Sequence, residues 1–233
     1  MNIEIKGNLL EGIFVKRVNR FIAHILIEDQ IEVVHVANTG RMRELLFEGA
    51  KVIVRKVDNP NRKTNYDLVM VYKNGTLVLI DSKMPNVILE KALREGHLED
   101  FGDYDHIKRE VNYGKSRFDI ALSNKSENVL IECKCVTLVK ENNLASFPDA
   151  PTERGRKHVH ELIEAKSQGY RSAVFFIIQR DDAKAFTPNR DMDPEFADAI
   201  KLAHEAGVEI YAYICSVSLK EIRIKDKIPV IIN

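Results

Sequence analysis

The sequence lacks most of what would anchor it outside a reducing, aqueous compartment. Its three cysteines, Cys133, Cys135 and Cys215, are an odd number and include no Cys-x-x-Cys pair. This excludes a disulfide framework and fits the cytoplasm. The strongly apolar runs, such as residues 173–178, fall far short of the ~20 residues that a membrane-spanning helix needs, so no membrane partner is expected. The opening residues Met1-Asn2-Ile3-Glu4-Ile5-Lys6 carry neither a signal peptide's basic and apolar segments nor a transit peptide's Arg/Ser bias. Net charge is also missing, because 35 Lys+Arg offset 35 Asp+Glu. Without a global positive field, any nucleic-acid binding must rest on local patches. Only 7 prolines occur, and there is no repeat or low-complexity tract, so disorder is not expected.

What is present suits ordinary cores: 45% hydrophobic and 30% charged residues over 233 positions, enough for two small domains. From residue 7 to about 82 the apolar residues come in short Val-, Ile- and Phe-rich runs, at 9–15, 21–27, 31–36, 50–57, 66–72 and 76–80. Such runs, divided by turn signals like Asn74-Gly75 and Asn59-Pro60-Asn61, read as strands. With one short helical turn at 42–47 they suggest a small closed barrel of OB type, an SH3-like barrel being the rival. Near Met84-Pro85-Asn86 the texture changes to helical spacing over 87–99, with Asn86 as the expected cap. The domains are therefore placed at 1–84 and 85–233.

The second domain reads as α/β. A strand is expected at 107–113, a hairpin after it, a loop at 142–152, and a helix at 153–168 capped by Thr152. A buried strand at 173–179, a helix opened by Asp193-Pro194 and stopped at Gly207, and strands at 208–214 and 219–224 complete it.

The hairpin carries the chemistry. With the turn centred between Lys125 and Ser126, Asp119 falls opposite Glu132, and the two-residue period puts Lys134 on the same face. Phe118, Ile120 and Leu122 with Val129, Ile131 and Cys133 then form an apolar face. Two carboxylates make the hard oxygen environment that Mg²⁺ or Mn²⁺ prefers. A neighbouring ammonium can stabilise phosphoryl charge and help orient an attacking water. Spacing alone does not separate this from a solvated strand face with an ion pair.

The chain also resembles the sugar fermentation stimulation protein family along nearly its whole length. The matching segments are Lys16-Arg17-Val18-Asn19-Arg20-Phe21, residues 35–42, Arg62-Lys63-Thr64, Ser116-Arg117-Phe118-Asp119, Glu132-Cys133-Lys134 with Val136-Thr137-Leu138, and Phe147-Pro148-Asp149-Ala150 running into 152–158. The resemblance implies an OB-type barrel followed by a domain like the PD-(D/E)xK nucleases, with Asp119, Glu132 and Lys134 as its catalytic set. It also implies DNA binding. Cys133 and Cys135 depart from the small or apolar residues usual at those positions.

These readings converge on a nuclease that hydrolyses phosphodiester bonds in DNA, or RNA, with Asp119 and Glu132 holding the metal and Lys134 assisting. The alternative is a non-cleaving DNA-binding regulator of sugar-metabolism genes. Arg41, Arg62 and Lys63 (with Arg43) on the barrel, and Arg154 and Lys157 (with Arg156) at a helix start, are the candidate phosphate contacts. Glu90, Glu95 and Glu110 are candidates for a third acidic ligand, and Gln179 for lining the same cleft. A zinc set from Cys133, Cys135, His158 and His160 is set aside, because His-x-His on a helix points two ways and the two cysteines share the apolar face. A homodimer is left open.

Overall fold

The computed structural model describes residues 1–232. The chain begins with β1 (Ile3–Glu4), β2 (Leu9–Arg17), β3 (Ile22–Ile27), β4 (Gln30–Val36), β5 (Lys51–Lys56), β6 (Tyr66–Lys73) and β7 (Thr76–Leu79). Strands β2 to β6 turn Phe14, Ile25, Val34, Val54 and Leu68 inward, as period-two alternation allows. Their order β4-β3-β2-β5-β6 closes through a parallel pairing of β4 with β6, Val34 opposite Tyr66. The result is the expected OB-type barrel of five strands, with no free edge around its circuit. Asn74 and Gly75 both have positive φ, 50° and 82°, the tight turn that joins β6 to β7. A single helical turn, in which Leu45 and Leu46 N–H groups donate to the Met42 carbonyl, closes the barrel's apolar interior.

The second half comprises α1 (Met84–Arg94), β8 (His106–Tyr113), β9 (Ser116–Ser123), β10 (Asn128–Val136), β11 (Leu144–Phe147), α2 (Glu153–Ser167), β12 (Arg171–Ile178), β13 (Ala185–Pro188), α3 (Pro194–Glu205), β14 (Glu209–Val217) and β15 (Glu221–Lys227). Seven strands form one sheet in the order β1-β15-β14-β12-β10-β9-β8, with β10, β12 and β14 parallel at its centre. Central parallel strands are covered on both faces, which is why 173–178 is continuously apolar. Helices α2 and α3 cover one face around Phe176 and Phe196; α1 and the barrel's outer residues Ile53, Val69 and Leu79 cover the other around Phe175. Thus β1, from the barrel half of the sequence, completes the sheet of the other half by pairing with β15.

Local chemistry sets the helix starts. Thr152 Oγ1 accepts the Gly155 N–H at 3.0 Å, and Asp193 Oδ1 accepts that of Phe196 at 2.9 Å, so α2 and α3 begin at side-chain caps. Asn86 is not a cap. Helix α1 starts at Met84, behind Lys83, with no side-chain cap, and ends at Arg94 rather than 99. Residues 142–152 are not a simple loop either: β11 pairs parallel with β13, a two-strand sheet too short to leave a readable period.

Two clasps join the halves. Gln179, expected in the cleft, is fully buried; its Nε2 donates to the carbonyls of Leu79 at 2.9 Å and Asp81 at 3.1 Å. Asp149 reaches the barrel, where its Oδ2 accepts the Met42 N–H at 2.9 Å. A Cβ at Gly40 would lie 2.7 Å from that same oxygen, so only glycine lets the loop approach. Among the described residues no helix is long and apolar enough to cross a membrane.

Candidate active site

Strands β9 and β10 pair in the expected register from Ser123–Asn128 to Ile120–Ile131, and there the pairing stops. Asp119 and Glu132 are not a ladder pair. Beyond Ile120 the strands part, and the Asp119 carboxylate fills the gap: Oδ2 accepts the Cys133 N–H at 2.8 Å, and Oδ1 accepts Asn86 Nδ2 at 2.6 Å. A short acidic side chain has replaced a backbone carbonyl as the acceptor, a competition at which aspartate is effective. The expected apolar face divides at the same place. Ile120, Leu122, Val129, Ile131 and Cys133 join the core beneath the barrel, whereas Phe118 joins the core under α2, its ring 5.8 Å from that of His158.

Glu132 projects toward α2. Its Oε1 accepts two hydrogen bonds, from Lys134 Nζ at 2.5 Å and from His158 Nδ1 at 2.6 Å. Its Oε2 is buried and has no partner, as is also true of Glu44 Oε1 and Glu161 Oε2, whereas a buried carboxylate oxygen ordinarily has one. Burial, and then the charge of Glu132, push Asp119 up to about 6. For Glu132 burial acts upward too, but the Lys134 ammonium and the His158 hydrogen bond outweigh it and hold the carboxyl below its ordinary value. The Glu132 charge thus raises the cost of ionising Asp119, a cost that positive charge nearby lowers.

A cleft of about 910 Å³ opens beside this group. Arg20, Gly40 and Arg41 form its barrel wall, and Lys134, Phe147 and Arg154 its sheet and helix wall. Arg17 shapes the barrel wall from behind: its guanidinium donates to the carbonyls of Asn19, Arg20, Asn38, Gly40 and Arg41 at 2.6–3.2 Å. Of the expected phosphate contacts, Arg41 and Arg154 face the cleft, while Lys157 and Arg154 line an adjoining pocket. Arg62 and Lys63 line neither cavity. Arg62 is bound to Asp67 Oδ1 at 2.6 Å and to Thr64 Oγ1 at 3.2 Å, which engages its charge in an ion pair on the barrel's outer face; Lys63 is exposed. Glu90 is paired with Arg94 and Arg109, Glu95 with Lys91, and Glu110 with Arg117, so each acid has a partner outside the site. Among the described residues no three His, Cys, Asp or Glu side chains gather as a metal cluster. The zinc set is therefore not assembled.

Residues 15–80 match the SfsA N-terminal OB domain, and residues 83–221 match the sugar fermentation stimulation protein RE domain. The chain belongs to the sugar fermentation stimulation protein family. The family's homolog from Alkaliphilus metalliredigens is 57% identical over 231 residues, covering 99% of this chain and 100% of that one. That from Desulforamulus reducens is 49% identical over 98% of this chain and 95% of its own. The structure of Pyrococcus furiosus SfsA in complex with Ca²⁺ superposes with a TM-score of 0.90 at 32% identity, covering 99% of this chain and 98% of that one.

Two residues of the site in this family member escaped sequence reasoning. Asn86 looked like a helix cap, and His158 like half of a zinc pair. His158 is 4% exposed and lies on the face of α2 that carries Gly155, Leu162 and Ala165. A polar ring on an apolar helical face needs a partner, which was the signal available. Arg154 Nε donates to His158 Nε2 at 3.4 Å, which leaves Nδ1 to carry the proton given to Glu132 Oε1.

Proposed function

We propose that the protein is a divalent-metal-dependent hydrolase of nucleic-acid phosphodiester bonds. The observation that carries this reading is the buried, unpartnered Oε2 of Glu132, a carboxylate whose charge acts on Asp119 and whose partner Lys134 lines a cleft with arginines on both walls. Asp119 and Glu132 would hold a hard cation such as Mg²⁺ or Mn²⁺, because both offer carboxylate oxygen. The Ca²⁺ complex of the Pyrococcus relative supports an oxygen-ligand site of this kind. When bound, the ion supplies Lewis acidity toward a phosphoryl oxygen.

The chain's own residues do the rest. Asn86 and the Cys133 N–H hold the Asp119 carboxylate in the strand gap. His158 and Lys134 fix Glu132 through Oε1 and leave Oε2 without a protein partner. Lys134 lines the cleft with its side chain 13% exposed, where its ammonium positions the attacking water and offsets charge that grows on the phosphate. Arg41 and Arg154, with Arg20, hold the strand's backbone. Three free thiols, two of them buried, suit a reducing cytoplasm.

Purified protein is incubated with single- and double-stranded DNA and RNA in Mg²⁺ or Mn²⁺, beside Glu132→Ala and Lys134→Ala. Wild type cuts at least one substrate, and each variant is slower by roughly 10²-fold or more. If wild type and variants are equally inert while DNA binding persists, the nuclease reading is lost and a non-cleaving DNA-binding regulator replaces it.

A further inference from the structure

Next to the cleft lies a separate pocket of about 560 Å³ at the start of α2, with Ser116 and His158 among its lining residues and Lys115, Arg117, Arg154 and Lys157 around them. Arg154 is the one residue that lines both cavities. We infer that this pocket is a second phosphate subsite, which holds a nucleic-acid phosphate on the far side of the Asp119–Glu132 pair from the barrel wall.

Three independent observations converge on an anion. First, the side chains are cationic: four bases line the pocket against a single acid, Glu153. Arg117 is partly neutralised by Glu110 at 2.7 Å, and Lys157 by Glu161 at 3.7 Å. Lys115 and Arg154 enter no ion pair among the described residues, and Arg154 Nε touches only the His158 ring. Second, the N–H groups of Glu153 and Arg154 sit in the first turn of a 15-residue helix, where they have no acceptor in their own helix and the dipole favours negative charge. Third, Ser116 is 7% exposed and its Oγ has no hydrogen-bond partner. A hydroxyl buried without an acceptor is costly, and a phosphate oxygen seated in the pocket supplies one.

The position gives the subsite a use. Ser116 and Asp119 lie on the same strand, and His158 faces both the pocket and Glu132. A strand that crosses the carboxylates from the barrel cleft meets Arg154 and then this pocket. The phosphate it takes is either an internal diester or the monoester at a strand end. Both present phosphate oxygens, with one negative charge on the diester and up to about two on the monoester, and the assay separates them.

This inference rests on the nucleic-acid reading above, and the test keeps the two apart. Binding of one single-stranded DNA sequence is measured by anisotropy in Ca²⁺, with a central fluorophore and a 5′-phosphate, a 3′-phosphate or hydroxyl ends. Wild type, Lys115→Gln and Ser116→Ala are compared over a range of salt. Both variants weaken binding by roughly three- to tenfold, and Lys115→Gln lowers the salt slope by about 0.7. If only a phosphorylated end is affected, the pocket holds a terminal monoester; if all three strands are affected alike, it holds an internal diester. Ser116→Ala loses affinity while its Tm stays level or rises, because the orphaned hydroxyl is gone. If it loses Tm as well, Lys115→Gln decides. Variants that bind all strands like wild type, with an unchanged slope, overturn the subsite and leave the nuclease reading standing. Wild type that binds none of these strands overturns the subsite for single-stranded DNA and leaves the nuclease reading to the cleavage assay on duplex DNA and RNA.

Discussion

Replacing His158 by leucine isolates the contact that sequence reasoning missed. His158 and Glu132 are 4% and 3% exposed, so water cannot substitute for the hydrogen bond between them at 2.6 Å. Leucine removes the donor at modest change in volume and leaves Glu132 Oε1 with Lys134 alone. A hydrogen bond to a buried charged group is worth roughly 1.5–3 kcal/mol. Loss of a partner that orients a metal ligand costs about 10- to 100-fold in metal affinity, which is ~1.4–2.7 kcal/mol, so the two routes agree. Mn²⁺ titration followed by electron paramagnetic resonance, and Ca²⁺ titration by calorimetry, read this without any need for turnover. His158→Leu binds both ions more weakly by that factor. His158→Asn, whose amide nitrogen sits near the place of Nδ1, recovers much of the loss although it also leaves a small gap beside Phe118. Leucine and asparagine variants of equal affinity would refute the positioning role, as would a leucine variant within twofold of wild type.

Three further outcomes follow from other contacts. Burial and Glu132 raise Asp119 from 3.8 to about 6, equivalent to ~3 kcal/mol, which partial solvent access reduces to ~2 kcal/mol. The folded chain holds this proton more tightly than the unfolded one, so the contribution is present below pH about 4 and lost as pH rises through about 6. In chelator, Asp119→Asn is therefore the more stable protein at pH 8 by urea melting, and its advantage vanishes near pH 4; an advantage that is independent of pH refutes the electrostatic cause. Arg17→Lys cannot serve the five carbonyls on two loops that the guanidinium serves, and costs on the order of 2 kcal/mol together with faster proteolysis at residues 38–41. Unchanged cleavage there would remove Arg17 from the shaping of the cleft wall. Arg62→Gln lowers stability by about 1 kcal/mol, because Asp67 keeps Arg55 and His35, and leaves nucleic-acid affinity within twofold; a tenfold loss of affinity would return Arg62 to the binding surface.

The elements were legible wherever local physics chose them. Val- and Ile-rich runs parted by Asn-Gly and Asn-Pro signals marked the barrel strands, and Thr152 and Asp193-Pro194 marked helix starts by capping, which needs only near neighbours. The hairpin register was equally local, since turn position and alternation set the pairing of Ile120 with Ile131. What the sequence could not determine was where that pairing ends. The Asp119 side chain takes the Cys133 N–H while Asn86, brought across by α1, holds its other oxygen, a contact over 33 positions. His158 reaches Glu132 because α2 packs on the face of the sheet to which Glu132 points, and Arg62 is engaged by Asp67 in an ion pair on the barrel's outer face. Sequence alone named Asp119, Glu132 and Lys134 as one group. Tertiary packing decided how each is held, which oxygen is left open, and which arginines stand beside it, because those depend on elements that meet only when the two halves close on each other.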